Sequence, residues 1–352
     1  MAIYISGIQQ IGIGIPHVYD AFKWYRQNFN MDIPVFDEAA TAALMLPYTG
    51  GKPHDRHAVL AINLQGGGGF EIWQYVSRTP QPAKFELELG DLGIFSTKIK
   101  CHNVRAVYDH FLKKDLNVVG LIAETPEKKE SFFLTDPYGN LFQIVEGDQW
   151  FKKGKDLTGG AYGCTIGVTD MERSKKFYKE ILGYDQVVYE VEDKFEDLKL
   201  LPGGDYYFQR VLLRHSKERQ GGFSRMLGKS EIELVKVKGK TPRRIFDNRF
   251  WGDLGFIHLC FDIFGMEELE EKCRALGHPF TVDSANSFDM GQAAGRFAYI
   301  EDPDGTLIEF VETHKLPILK KIGWYKNMRK RNPANPLPDW MLKSMKFNRV
   351  KD

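Results

Sequence analysis

The sequence predicts an α+β protein built from four βαβββ units in two pseudo-symmetric halves, followed by a helical C-terminal extension. Three observations carry this. The strand–turn–helix opening QIGIGIPHVYDAFKWYRQNFNMDIP (Gln10 to Pro34) repeats as GCTIGVTDMERSKKFYKEILGYDQV (Gly163 to Val187), with weaker copies starting at Ser96 and His258. The closing segment LTDPYGNLFQIVEG (Leu134 to Gly147) repeats as IEDPDGTLIEFVET (Ile300 to Thr313). The strand that ends each unit is apolar with one polar residue at its centre, as in GGFEIWQY (Gly68 to Tyr75) and SEIELVKV (Ser230 to Val237).

In chain order, the units are expected over roughly 8–76, 91–147, 161–238 and 254–314. Units 1 and 2 make an N-terminal half (1–147), and units 3 and 4 a C-terminal half (161–314). Both helix openings place aromatic–Tyr late in the helix, Trp24-Tyr25 and Phe177-Tyr178. DPYG and DPDG are turn sequences, because Pro presets φ and Gly accepts positive φ. The glycine run Gly66 to Gly69 lacks the context of a phosphate-binding loop and reads as a tight turn between strands. Residues 148–160, rich in Gly and Lys and without periodicity, read as an exposed linker. Residues 315–352 carry eleven Lys/Arg and two acids, with Trp324, Tyr325, Trp340 and Phe347 interleaved. That mixture could serve a nucleic-acid arm. The apolar spacing of Trp340, Leu342, Met345 and Phe347 instead favours two short helices, broken at NPANPLP, that pack on the barrel. A cap over a cleft or a subunit contact is the expected role.

Length and composition narrow the class. The 352 residues suffice for two domains, 43% are hydrophobic and 27% charged, and the formal net charge of +1 creates no field that recruits nucleic acid or membrane. No basic segment followed by a long apolar stretch opens the chain, and no run is long enough for a membrane span. The four cysteines, Cys101, Cys164, Cys260 and Cys273, form no CxxC pair, and reduced thiols in a cytoplasmic protein are expected.

These repeats resemble the vicinal oxygen chelate superfamily, which includes glyoxalase I, methylmalonyl-CoA epimerase, extradiol dioxygenases and bleomycin-resistance proteins. The resemblance runs to about residue 314. It implies glyoxalase/dioxygenase-like barrels in which paired units enclose a cleft, with metal ligands on the first and last strands of each unit. Counting along those strands places the ligand position at Gln10, Ser96, Gly163 and His258 in the first strands. In the last strands it falls at Glu71, Gln143, Glu233 and Glu309. The steps Glu71 to Glu233 and Ser96 to His258 are both 162 residues, and Gln143 to Glu309 is 166.

The expected metal site is therefore Glu233, His258 and Glu309 in the C-terminal half. One imidazole with two carboxylates suits a single divalent ion: zinc, manganese, nickel, cobalt or ferrous iron. A carboxylate among Ile, Leu and Val is costly without a partner, and a metal or an arginine such as Arg210 or Arg214 could supply one. Gly163 stands where a fourth ligand is usual in that family. The N-terminal half, with Gln10, Glu71, Ser96 and Gln143, reads as a degenerate site, and Glu71 there as a structural or substrate-contacting residue. The resemblance implies isomerase or lyase chemistry on a small oxygenated substrate through a metal-stabilised enediolate. Glu233 and Glu309 would be catalytic, one holding the ion while the other acts as base. The alternatives are a non-haem iron ring-cleaving dioxygenase and a metal-free small-molecule binding protein of bleomycin-resistance type. No nucleic-acid or membrane partner is expected, and the chain is a monomer or a homodimer.

Overall fold

The structure, a computed structural model, describes residues 2–285, 288–289, 294–319 and 323–351, with the backbone alone described at 288, 289, 294, 317–319 and 324. The four units are present. Unit 1 runs β1 (Tyr4–Gly14), α1 (Val18–Phe29), β2 (Ile33–Thr41), β3 (Asp55–Ile62) and β4 (Gly69–Tyr75). Unit 2 runs β5 (Gly93–Cys101), α2 (Val104–Lys113), β6 (Asn117–Glu124), β7 (Glu130–Thr135) and β8 (Leu141–Glu146). Unit 3 runs β9 (Thr158–Gly167), α3 (Met171–Glu180), β10 (Gln186–Asp193), β11 (Phe208–Arg214), the short α4 (Ser224–Leu227) and β12 (Glu231–Val237). Unit 4 runs β13 (Gly255–Phe264), α5 (Met266–Ala275), β14 (Val282–Asp283), β15 (Phe288–Asp289), β16 (Ala294–Glu301) and β17 (Leu307–Leu319).

The units pair differently from the expectation. One sheet of ten strands is ordered β14-β16-β17-β13-β1-β4-β3-β2, with β15 on β16 and a further strand, β18 (Trp324–Asn327), on β17. It joins unit 4 to unit 1. The other sheet, ordered β10-β11-β12-β9-β5-β8-β7-β6, joins unit 3 to unit 2. The seams are antiparallel, β1 with β13 and β5 with β9. The chain between β8 and β9 is short, so consecutive units 2 and 3 become neighbours, as short connections favour. Unit 4 is then left to close on unit 1. The expected exposed linker is exposed at residues 153–155 and shorter than expected at its end. Strand β9 already begins at Thr158, and Thr158, Gly159 and Gly160 are buried. Gly160 N–H donates to Gly66 O at 2.8 Å, and Gly68 and Ala161 exchange backbone hydrogen bonds at 2.8 Å. The glycine run therefore lets the two sheets touch: a β-carbon on Gly160 would lie 2.3 Å from Gly68 O.

Each helix buries one apolar stripe. Val18, Ala21, Phe22, Tyr25 and Phe29 form that of α1, which ends at Asn30 in the left-handed conformation (φ 55°). Asn103 and Asp170 cap α2 and α3 by accepting from Ala106 N and Arg173 N. The helices share one core with the inner faces of both sheets. The two sequence signatures meet in it. Tyr25 donates to Asp136 Oδ2 at 2.6 Å, and Tyr178 to Asp302 Oδ2 at 2.9 Å. Each aspartate opens its DPxG turn by accepting two backbone N–H groups, Tyr138 and Asn140 for Asp136, Asp304 and Thr306 for Asp302. The two units of each half are thus bonded face to face between the sheets, while units from opposite halves pair within each sheet.

The tail also departs from two short helices. β17 runs on to Leu319, β18 folds back on it, and one helix, α6 (Asp339–Lys343), leads into a 3-10 turn over Ser344–Asn348. Leu337, Met341, Leu342 and Met345 pack inward, whereas Trp340 is 59% and Phe347 65% exposed. The aromatic members of the apolar spacing therefore face outward. Of Trp324 only the backbone lies within the described residues. All four cysteines are free and buried, and among the described residues no helix is long and apolar enough to cross a membrane.

Candidate metal centre

The strand register places every expected ligand position on the concave face of a sheet. Gln10 lies opposite Gly69, Ser96 opposite Leu141 and Gly163 opposite Glu231, each two residues before Glu71, Gln143 and Glu233 in the neighbouring parallel strand. Glu309 lies opposite Cys260, two residues beyond His258, which is the same offset. Because side chains alternate along a strand, each pair of positions shares a face.

The pairing of units decides which positions meet. In the ten-stranded sheet, His258 Nε2 lies 3.0 Å from Glu309 Oε2 and 3.4 Å from Glu71 Oε2. Gln10 Nε2 lies 3.3 Å from Glu71 Oε2 and 3.4 Å from Glu309 Oε2. One ligand atom each from Glu71, His258 and Glu309 falls within 4.8 Å of the others, a spacing at which a single ion can be held. Both ring nitrogens of His258, and Gln10 Oε1, are buried with no hydrogen-bond partner in the protein. The close approach of Nε2 to the carboxylates is thus one of charge, without the directions of a hydrogen bond. A ring nitrogen and two carboxylate oxygens gathered at this spacing are the donor set a divalent cation takes once the imidazole gives up its proton, so the residues fit one.

The expected set of Glu233, His258 and Glu309 is corrected in one member. Glu233 is in the other sheet, and Glu71, read as structural, stands in its place. Gln10 also belongs here, although the sequence had put it in a degenerate half. Room for the imidazole comes from Gly12, directly opposite His258 across the seam, where a β-carbon would lie 2.4 Å from Cε1. Burial pulls the His258 pKa down, but Glu309 and then Glu71 outweigh it and hold it up at about 9. Tyr299, edge-on to His258 with ring centres 5.5 Å apart, has its hydroxyl pKa pushed well up by burial and the same glutamates.

In the eight-stranded sheet, Glu233 has other partners. Lys98 Nζ lies 2.9 Å from both Glu231 Oε1 and Glu233 Oε2. Arg210 reaches Glu233 at 2.7 Å and Asp197 at 2.8 Å, and Tyr189 donates to Glu233 at 2.7 Å. Arg214 joins Glu231 at 2.6 Å to Glu127 at 2.7 Å. The arginine alternative for a buried carboxylate is what the structure contains at Glu233. Burial pushes the Glu233 pKa up, but Arg210 and Lys98 bring it well below the usual carboxylate range. His215 is likewise away from the cluster, with Nδ1 at Lys217 O (2.9 Å) and Nε2 at Ser230 N (3.3 Å).

Gln10, Glu71 and Glu309 of the cluster line a cavity of about 510 Å³, and His258 is fully buried beside them. The loop at Ala42–Met45 lines one side, and Met345 and Asn348 of the tail another. These two residues put the tail in the wall of the cleft. Lys98 is the charged residue of the second cluster that strand counting missed. A lysine at the same parity as Ser96 in the apolar strand GIFSTKIKC was the available signal.

Sequence comparison matches the chain to the family model "Glyoxalase/Bleomycin resistance protein/Dioxygenase superfamily" over residues 7–144 and 163–310. No curated protein matches by sequence. Among solved structures, glyoxalase I from Zea mays is similar with a TM-score of 0.52 at 14% identity, covering 88% of this chain and 92% of that one. A proposed dioxygenase from Bacillus subtilis subsp. subtilis str. 168 gives a TM-score of 0.56 at 13% identity, covering 88% and 86%. At such identities the likeness is one of fold. With both repeats matched, the chain belongs to the glyoxalase/bleomycin resistance protein/dioxygenase superfamily.

Proposed function

We propose that the protein is a divalent-metal enzyme of the glyoxalase type, with isomerase or lyase chemistry on an oxygenated small molecule. Glu71, His258 and Glu309 would hold the ion, and Gln10, whose amide donates to both carboxylates, would orient them. The observation that carries this reading is the buried His258 ring set between Glu71 and Glu309, the two carboxylates that line the cavity. An ion bound there supplies a Lewis acid for two neighbouring oxygens of the substrate, which makes the hydrogen on the adjoining carbon more acidic. The chain supplies the rest. One of Glu71 and Glu309 takes that proton while the other stays in place, and returning it to a neighbouring atom completes an isomerisation. The walls of the cavity keep water from competing. His258 would bind the ion in its neutral form, so loading would compete with the proton that Glu309 and Glu71 favour on the ring.

Metal analysis of protein purified without chelators or a histidine tag tests the reading. Wild type is expected to hold close to one divalent ion per chain, and His258→Ala almost none. If wild type stays empty after incubation with zinc, manganese, nickel, cobalt and ferrous iron in turn, the enzyme reading falls. A binding protein with a protonated His258 then takes its place.

A further inference from the structure

The cavity above the cluster has a chemistry of its own. Its aromatic wall is formed by Phe36, Trp73, Phe223, Trp251, Phe297 and Tyr299. Trp73 and Trp251 meet edge to face with ring centres 4.7 Å apart, and Trp251 lies parallel to the His258 ring at 6.2 Å. Among the described residues lining the cavity, Arg56 is the one base, and Glu38 occupies it. Its guanidinium donates to Glu38 O at 2.8 Å and approaches the Glu38 carboxylate at 3.5 Å. The remaining charges on the lining are the carboxylates of Glu71 and Glu309. An anionic substrate body would meet acids and no available cation, and would lose its hydration without repayment. Trp73 and Trp251 are buried, and each keeps an indole N–H with no hydrogen-bond partner in the protein. Indole N–H is a donor only, so it suits a neutral oxygen acceptor.

We infer that the substrate has an uncharged, oxygen-bearing aryl body, such as a phenol or aryl ether, attached to the vicinal oxygens that face the cluster. The attachment to vicinal oxygens rests on the metal-enzyme reading above. The preference for a neutral aryl body rests on the cavity alone. A volume of about 510 Å³ is in the range that encloses a drug-sized ligand. Aromatic edges and faces of this kind favour another ring over an aliphatic chain of equal area.

Calorimetry on the full chain with five small probes tests the inference. The metal-loaded protein is titrated with three hydroxamic acids, which offer the same pair of adjacent oxygens: 2-naphthohydroxamic, acetohydroxamic and N-hydroxysuccinamic acid. The naphthyl compound is expected to bind roughly 30-fold or more tightly than acetohydroxamic acid, the ring burial being partly offset by ordering costs. The succinamic compound is expected to bind no better than acetohydroxamic acid. Equal affinities across the three, or tightest binding of the anionic body, overturns the inference. Metal-free protein is titrated with 2-naphthol and with succinate. Binding of 2-naphthol and not of succinate upholds the aryl preference even if no metal ever loads, so the cavity reading and the metal reading fail separately. If 2-naphthol does not bind metal-free protein, or succinate binds as well, the inference is overturned.

Discussion

The two sheets are built from the same kind of unit in the same register, yet one presents a site that asks for a cation and the other contains its own. Across one seam, His258 lies over Gly12. Across the other, Lys98 lies over Gly163. Gly12 yields space to the imidazole, whereas a β-carbon on Gly163 would meet the backbone of the neighbouring strand, 1.8 Å from Glu231 O. The nitrogen base comes from the first strand of unit 4 in one sheet and of unit 2 in the other. His258 offers a ring nitrogen between Glu71 and Glu309, and a cavity opens above it. Lys98 places an ammonium between Glu231 and Glu233, with Arg210 and Arg214 behind it. Glu233 is thus balanced by Lys98 and Arg210 in one sheet, while its counterpart Glu71 lies with Glu309 beside an imidazole in the other, at a spacing that suits a divalent ion. The difference teaches that one strand position can carry a carboxylate with quite different partners, according to which first strand is brought beside it.

The sharpest way to break this comparison is to remove the internal cation. Lys98→Met leaves Glu231 and Glu233 buried with less compensation, and removing one partner of a buried pair costs about 3–5 kcal/mol. Chemical denaturation should show a loss of that size, with metal uptake by the His258 cluster unchanged. A loss below about 1 kcal/mol would mean that Arg210 and Arg214 suffice.

Reciprocal glutamate variants come next. Glu71→Gln is expected to weaken metal affinity by roughly 100-fold or more, because a direct ligand should cost at least as much as an outer-shell partner. Glu233→Gln should leave affinity unchanged and lower stability. The comparison fails if Glu233→Gln reduces metal affinity as much as Glu71→Gln does. Gly12→Ala is a smaller effect. Its methyl would meet the imidazole at 2.4 Å, so His258 must move. Overpacking of this kind costs about 1–3 kcal/mol, and metal affinity should fall with it. Normal stability and affinity together in Gly12→Ala would show that the ring has other room.

Much of this was legible in the sequence, because strand periodicity fixes which face a residue occupies. Gln10, Glu71, His258 and Glu309 all came from that count, as did the four units and the DPxG turns. The pairing of units was not legible. The four opening strands are alike in length and apolar pattern, and an antiparallel seam satisfies the backbone of any two of them. Only the short run from β8 to β9 distinguishes the arrangements, and its glycines suggested an exposed linker when they serve close contact between sheets. With the pairing misplaced, Glu233 was joined to His258 in place of Glu71. Lys98 was passed over because a lysine within a strand is usually solvated, and no single-strand pattern shows that two glutamates await it across the fold.

The least drastic test uses acid alone. The pKa of Glu233 is held below its ordinary value in the folded chain, chiefly against burial by Arg210 and Lys98. An unfolded glutamate titrates at about 4.3. A carboxylate with a lowered folded pKa stabilises fully above its unfolded value, and that contribution is lost as pH falls toward the folded one. The Lys98 pKa is raised by Glu231 and Glu233 against burial, so its contribution persists throughout the acid range and fades only at high pH. Wild type should therefore lose unfolding free energy as pH drops below about 4. Glu233→Gln should start lower but show a shallower acid slope, since the group that must be protonated is gone. The slope is the informative quantity, because the starting level mixes in packing losses. Parallel slopes for the two proteins would place the acid sensitivity elsewhere, and the charge network of the eight-stranded sheet would lose its claim to act as the built-in counterpart of a metal.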